Sequence, residues 1–334
     1  MYPPSALSLP EMPRHYRPGL DVVRLTALLP VLCYHYCIEA ARLGFAVPTA
    51  LISRGMADWV ELGLAWFFLL SGAALCLQWQ GRFSLRRYLA GRAAATYPAF
   101  WLGFAALFLY GEVLHGNNAD IPRWRVIFSL LGLDGYLTPV TVTFYKIGEW
   151  FLGVILILYL VFPLLASLCA KWPLPTLAAL GLVQLGYTCW LLPQYGSGDY
   201  SARFNQLPAF SGVLAVGLAA AWVFAKFAHG GWAQHVLPRA GCTVLGLAAL
   251  IWLDAEMRAQ AAAAEYQQFQ LINRMPLVLA AAAVLVCFGL GLTLPEVLRR
   301  ALRWLAALTY SFYLWHQMLT VFLKYDLHLS LIHI

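Results

Sequence analysis

The 334-residue chain predicts an all-α bundle of nine or ten membrane-spanning helices, built as one domain over 1–334 with a short leader at 1–19. Two observations predict it. Hydrophobic residues make up 62% of the sequence and charged residues 11%, against roughly 45–50% and about 25% in a soluble domain. The apolar residues also fall in long runs separated by short polar segments, the pattern of a chain folded in lipid. Together they exclude a disordered chain and an ordinary soluble enzyme. The net charge of +7 comes from 22 basic residues scattered between apolar runs. A nucleic-acid reader would gather them into a patch or motif; here they belong at membrane surfaces.

The leader is rich in proline, carries few charges and has no evident cleavable signal. Nine runs follow, at 22–41, 59–79, 96–114, 148–170, 174–193, 207–227, 239–253, 276–294 and 304–323. A further apolar stretch at 126–133 is short of the ~17–25 residues that a spanning helix needs. It either crosses with help from its neighbours or re-enters, and re-entry requires protein to cover its open backbone. The polar stretch Gln260–Gln270 reads as a longer loop or a helix end.

Short-loop basic residues set the orientation. Arg14, Arg17 and Arg24 lie at the start. Arg82, Arg86, Arg87 and Arg92 follow the second run, and Arg299, Arg300 and Arg303 precede the last. With nine spans these regions share one side, together with Lys171 and Lys226. The N-terminus is then inside and the C-terminus outside. The seven cysteines have no framework or metal-ligand spacing, so they read as unpaired thiols with no metal site.

The first run, DVVRLTALLPVLCYHY, holds the sharpest polar feature. Arg24 and His35 are eleven positions apart, close to three helical turns and ~16 Å of rise, so they project from nearly the same face. Arg24 reaches the inner surface while His35 lies near the membrane centre. An ionisable group at that depth faces the bundle interior or a wet path, although a histidine bonded to a neighbouring helix and a snorkelling arginine have the same signature. Glu39, one turn beyond His35, is placed to orient an imidazole or to sit as a surface charge. Asp21 is placed to pair with Arg24.

In the second run, WFFLLSG ends on Ser71–Gly72, a pair that favours close helix contact; no GxSxG context makes Ser71 a nucleophile. The basic stretch GRFSLRRYLAGRAAATYP reads as a loop whose Arg86, Arg87 and Arg92 suit anionic headgroups or phosphate. Glu149, with Lys146 three residues before it, is an ion-pair or polar-site candidate. Arg203 and Asn205 are candidate outer-side substrate contacts. His316, in SFYLWHQM, lies in the outer half of the last run, and the sequence leaves open whether it meets His35.

These residues resemble the integral-membrane acyltransferase-3 family, which includes bacterial glycan O-acetyltransferases. The resemblance rests on Arg24–ten residues–His35, on Phe67, Phe68, Ser71 and Gly72, and on the basic stretch from Arg86 to Tyr97–Pro98. Tyr159–three residues–Pro163 and the terminal SFYLWH complete it. Two positions depart from the family pattern: Ala95 stands where a second arginine is common, and Ile155 where a glutamate is common. The resemblance implies transfer of an acyl group, usually acetyl, from cytoplasmic acyl-CoA to a hydroxyl of a cell-envelope or exported glycan. It implies a multi-pass protein of the bacterial cytoplasmic membrane with no permanently bound cofactor. The expected roles are catalysis at His35 with Arg24 and Glu39, and donor binding at Arg24, Arg86, Arg87 and Arg92. Substrate contact is expected at Glu149, Arg203, Asn205 and His316. The rival readings are a multi-span transporter, which also uses mid-membrane polar groups, and a nonenzymatic envelope-assembly partner. Absence of matching repeated halves weighs against the transporter.

Overall fold

The computed structural model describes residues 17–42, 44–78, 84–110, 120–144, 149–194, 203, 205–229, 235–262 and 275–325. Among them the regular elements are helices: α1 (Pro18–Arg42), α2 (Arg54–Gln78), α3 (Leu85–Phe108), α4 (Val126–Leu130), α5 (Asp134–Leu137), α6 (Glu149–Lys171), α7 (Pro173–Leu191), α8 (Ser211–His229), α9 (Val236–Ala261), α10 (Met275–Gly291) and α11 (Glu296–Tyr325). Short 3₁₀ turns join some of them. Each of the nine apolar runs falls on one of the nine longer helices. Among the described residues, six helical segments are long and apolar enough to cross a membrane, drawn from α1, α2, α6, α7, α8 and α9, and α10 is slightly shorter. The protein is a multi-pass membrane bundle.

Two boundaries differ from the sequence reading. The basic stretch is not a loop: from Leu85 onward it forms the first turns of α3. Leu, Arg and Ala are strong helix formers, and the Ser84 hydroxyl caps the helix by accepting from the Arg87 backbone N–H at 3.4 Å. In the same way α11 begins at Glu296, ahead of the apolar run, where Glu296 pairs with Arg299 and Arg300.

The 126–133 stretch does not cross. α4 has five residues, a rise of only ~7.5 Å. The chain turns back at Gly132, whose φ of 72° suits a residue without Cβ. The carbonyls of Leu130 and Leu131, which α4 cannot satisfy itself, accept from Trp101 Nε1 at 2.9 Å and the Tyr97 hydroxyl at 3.1 Å on α3. Buried Ser129 and Asp134 close the hairpin with a 2.7 Å hydrogen bond. α3 thus satisfies the Leu130 and Leu131 carbonyls, while Ile127, Leu130 and Leu131 stay exposed.

Apolar side chains gain little by leaving lipid for one another, so close packing has to hold the bundle. Gly63 on α2 lies against the Ala27 carbonyl of α1, and Gly19 on α1 lies against the Phe288 carbonyl of α10. A Cβ on Gly217 of α8 would sit 2.8 Å from the Leu69 carbonyl of α2. Gly72 faces Leu214 and Gly217, so the FFLLSG signature works as a packing surface between α2 and α8. Around it lies the main core, which includes Trp66, Phe68, Leu69, Phe162, Phe210 and Val213. Trp66 is tied further by its Nε1, which donates to the Ala281 carbonyl at 3.0 Å. The α8 segment is 67% buried and α9 only 11%. The outer helices show Leu182 and Leu185 on α7 and Leu245 and Ile251 on α9 to their surroundings, as lipid contact requires. All seven cysteines are free.

Candidate active site

His35 of α1 and His316 of α11 meet, their ring centroids 5.3 Å apart and the rings tilted by 60°. The two helices are parallel: their first turns meet as well, with Arg17 and Arg299 lining one cavity. The His316 ring is fixed by its own helix, because Nδ1 lies 2.6 Å from the Tyr313 carbonyl oxygen. A carbonyl only accepts, so Nδ1 carries the proton and Nε2 is left as the basic nitrogen of the neutral ring. Tyr313 is buried against Phe151 at 5.5 Å, and Phe151 also touches Phe67 and Phe68 of the α2 signature. The signature therefore backs the wall that carries the histidines.

A second tier lies deeper. Arg92 of α3 stands over the Tyr159 ring, 5.5 Å from its centroid. The Tyr310 hydroxyl of α11 donates to the Thr96 carbonyl of α3 at 3.2 Å. Tyr88–Phe162 and Arg92–Tyr159 contacts run in opposite order along α3 and α6, so those two helices are antiparallel.

The helix register then fixes relative depth. Eleven residues inward from the histidine pair, α1 reaches Arg24 and α11 reaches Leu305. Four residues inward from the Thr96–Tyr310 contact, α3 reaches Arg92 and α11 reaches Ala306. Arg24 and Arg92 thus stand at one level, ~16 Å from the histidines along the axis. Arg24 keeps a half-buried side chain, and its Nη1 donates to Asp21 at 2.6 Å. The pairing of Asp21 with Arg24 is as the spacing suggested.

The remaining candidates are distributed differently. Glu39 forms an ion pair with Arg42 on the next turn of α1. Arg86 and Arg87 are exposed on the first turn of α3, at the end of the bundle where α1 and α11 begin. Arg203 lies over the Trp190 ring at 5.6 Å, and its carbonyl accepts from the Tyr187 hydroxyl at 2.7 Å. That places it against α7, and half-buried Asn205 follows it. Glu149 is the first residue of α6; its side chain, and Lys146, lie outside the described residues.

Sequence reasoning quoted Tyr159 and Tyr313 as motif residues without a site role and did not single out Tyr310.

The family model described as "Acyltransferase domain" (Acyl_transf_3) covers residues 17–333. The chain belongs to the acyltransferase-3 family. It is also 24% identical over 335 residues to the peptidoglycan O-acetyltransferase OatA of Listeria monocytogenes serovar 1/2a (strain ATCC BAA-679 / EGD-e), over 91% of this chain and 49% of that protein. The chain therefore spans about half the length of the curated relative it matches. No solved structure matches it.

Proposed function

We propose that this family member is a membrane O-acyltransferase that moves an acyl group, acetyl in the first instance, from acyl-CoA to a hydroxyl of a cell-envelope or exported glycan. The observation that carries this reading is the two-tier arrangement: paired imidazoles at His35 and His316, with two guanidiniums at a common depth below them. The glycan acceptor is suggested by the name of the Listeria relative.

In this reading the end bearing the first turns of α1, α3 and α11 faces the cytoplasm of a bacterial cell. Arg24 and Arg92, with Arg86 and Arg87 at the entrance, bind donor phosphates through charged hydrogen bonds. The thioester reaches the histidines. The neutral His35 ring takes the proton of the acceptor hydroxyl as its oxygen attacks the thioester carbonyl carbon. The tetrahedral intermediate collapses, the C–S bond breaks, and the proton passes to the departing thiolate, giving an ester and free thiol. His316, held with Nδ1 on the Tyr313 carbonyl, presents Nε2 toward this centre and orients the acceptor or relays the proton. In this proposal Glu149, Arg203 and Asn205 contact the acceptor, and Glu39, one turn beyond His35, orients the imidazole or sits as a surface charge.

The decisive experiment is incubation of purified protein with acyl-labelled acetyl-CoA and an envelope glycan. Label appearing as alkali-labile ester on the glycan supports the reading. Intact donor with an unchanged solute carried across proteoliposomes would replace it with the transporter reading.

A further inference from the structure

At the end of the bundle opposite the histidines, the beginnings of α1, α9 and α11 meet around a cavity of about 80 Å³. Arg17 enters from the residue before α1, Arg239 from the first turn of α9 and Arg299 from the first turn of α11. The α10–α11 connection closes the cavity with Leu292, Thr293 and Leu294. Three helix beginnings therefore bring three guanidiniums to one cavity, and a helix start carries the positive end of its dipole.

Among the described residues, Glu296 is the carboxylate paired with one of them, Arg299, and it is shared with Arg300 at 3.0 Å. The Nε atoms of Arg17 and Arg299 are buried and find no hydrogen-bond acceptor among the described residues. Arg17 is flanked by the Phe224 ring at 5.7 Å. Burial and the neighbouring Arg239 cation hold its guanidinium below the usual arginine range. Holding three half-buried guanidiniums together with one carboxylate, itself shared with Arg300, is costly. An oxyanion in the cavity removes that cost, and guanidinium forks match its oxygens. The cavity has room for a phosphate-sized group with a few waters, not for a nucleotide.

We infer that the Arg17–Arg239–Arg299 cavity binds a phosphate-bearing anion. It is a site separate from the Arg24–Arg92 tier, since Arg17 lies seven residues before Arg24 on the chain, ~10 Å further toward the bundle end. The shared chemistry is a phosphate group, supplied by an anionic lipid headgroup or by a soluble phosphate ester. The inference does not depend on the transfer reaction.

The test uses the full chain. Inorganic pyrophosphate binding is measured by calorimetry in an uncharged detergent. Retention of phosphatidylglycerol over phosphatidylcholine is measured by native mass spectrometry after release from mixed-lipid nanodiscs. The parent is compared with Arg17→Gln/Arg239→Gln, and with Thr293→Glu, which adds a carboxylate at an exposed position of the cavity wall. Arg258→Gln removes an exposed arginine from the far end of α9 and is the control. The expected result is at least a tenfold loss of one probe in both cavity variants and none in the control. Loss of pyrophosphate identifies a soluble ester, and loss of phosphatidylglycerol a lipid headgroup. Binding of both probes unchanged within twofold, no binding by the parent, or equal loss in Arg258→Gln overturns the inference. If the double variant does not fold, Thr293→Glu alone decides.

Discussion

The Tyr88 hydroxyl on α3 donates to the Tyr159 carbonyl on α6 at 3.1 Å. That carbonyl is the one Pro163, inside α6, leaves without its helical partner, because proline has no N–H to give back to the residue four positions earlier. One aromatic hydroxyl thus satisfies a backbone acceptor exposed by the helix's own sequence, while the Tyr159 ring receives Arg92. The Tyr–three residues–Pro spacing is explained by this division of labour.

Tyr88→Phe should therefore destabilise the folded protein by about 1 kcal/mol, the usual net worth of such a hydrogen bond. Pro163→Ala restores an N–H to α6. In that background Tyr88→Phe should cost clearly less. Thermal unfolding of the two singles and the double in one detergent measures the coupling, and strict additivity would show that the carbonyl does not depend on Tyr88.

The histidine pair should behave as one unit. His35→Ala should cut acyl transfer by ~10²–10⁴-fold, the range for a general acid–base group, with insertion and folding unchanged. His316→Ala should fall in the same range. The double variant should lose little beyond the worse single, since groups acting on one step are not additive. Initial rates on labelled acceptor test this. Activity within twofold of the parent for either single removes that histidine from the chemistry.

The arginine tier should govern the donor. Arg24→Ala and Arg92→Ala should each weaken CoA binding, whereas Arg258→Ala, paired with Asp254 at the other end of α9, should not. Arg24→Lys should restore little where contact is bidentate, because lysine lacks the planar fork. Equilibrium binding of CoA checks all four. Unchanged affinity in both tier variants would sink the donor placement.

How much of this was readable in advance differs from residue to residue. The nine helices were legible because long apolar runs leave few alternatives in lipid. The start of α3 was not, since Arg86, Arg87 and Arg92 look like a loop to hydropathy although their helix propensity is high. The Arg24–His35 face was legible because eleven residues is nearly a whole number of turns. The meeting of His35 with His316 was not: it is a contact between the first and last helices, and periodicity says nothing about which helices adjoin. The Arg17–Arg239–Arg299 cavity was hidden for the same reason, its three residues coming from three distant helix starts.

Glycines offer a sharper test of the packing than the aromatic core does. Gly63 and Gly217 sit against carbonyls of neighbouring helices, whereas Gly181 on α7 has nothing within 4 Å of a built Cβ. A methyl group at Gly217 must move α2 away from α8, and rigid backbone cannot yield as a side-chain tip can. Overpacking of this kind costs typically ~1–3 kcal/mol. Gly217→Ala and Gly63→Ala should each lower the unfolding temperature and the monodisperse yield. Gly181→Ala meets no neighbour and gains helix propensity, by up to ~1 kcal/mol, so it should match or exceed the parent. Size-exclusion profiles after stepped heating separate the three. If Gly217→Ala proved as stable as Gly181→Ala, the close approach of α2 and α8 would not be what holds the wall behind Phe151 and the histidines.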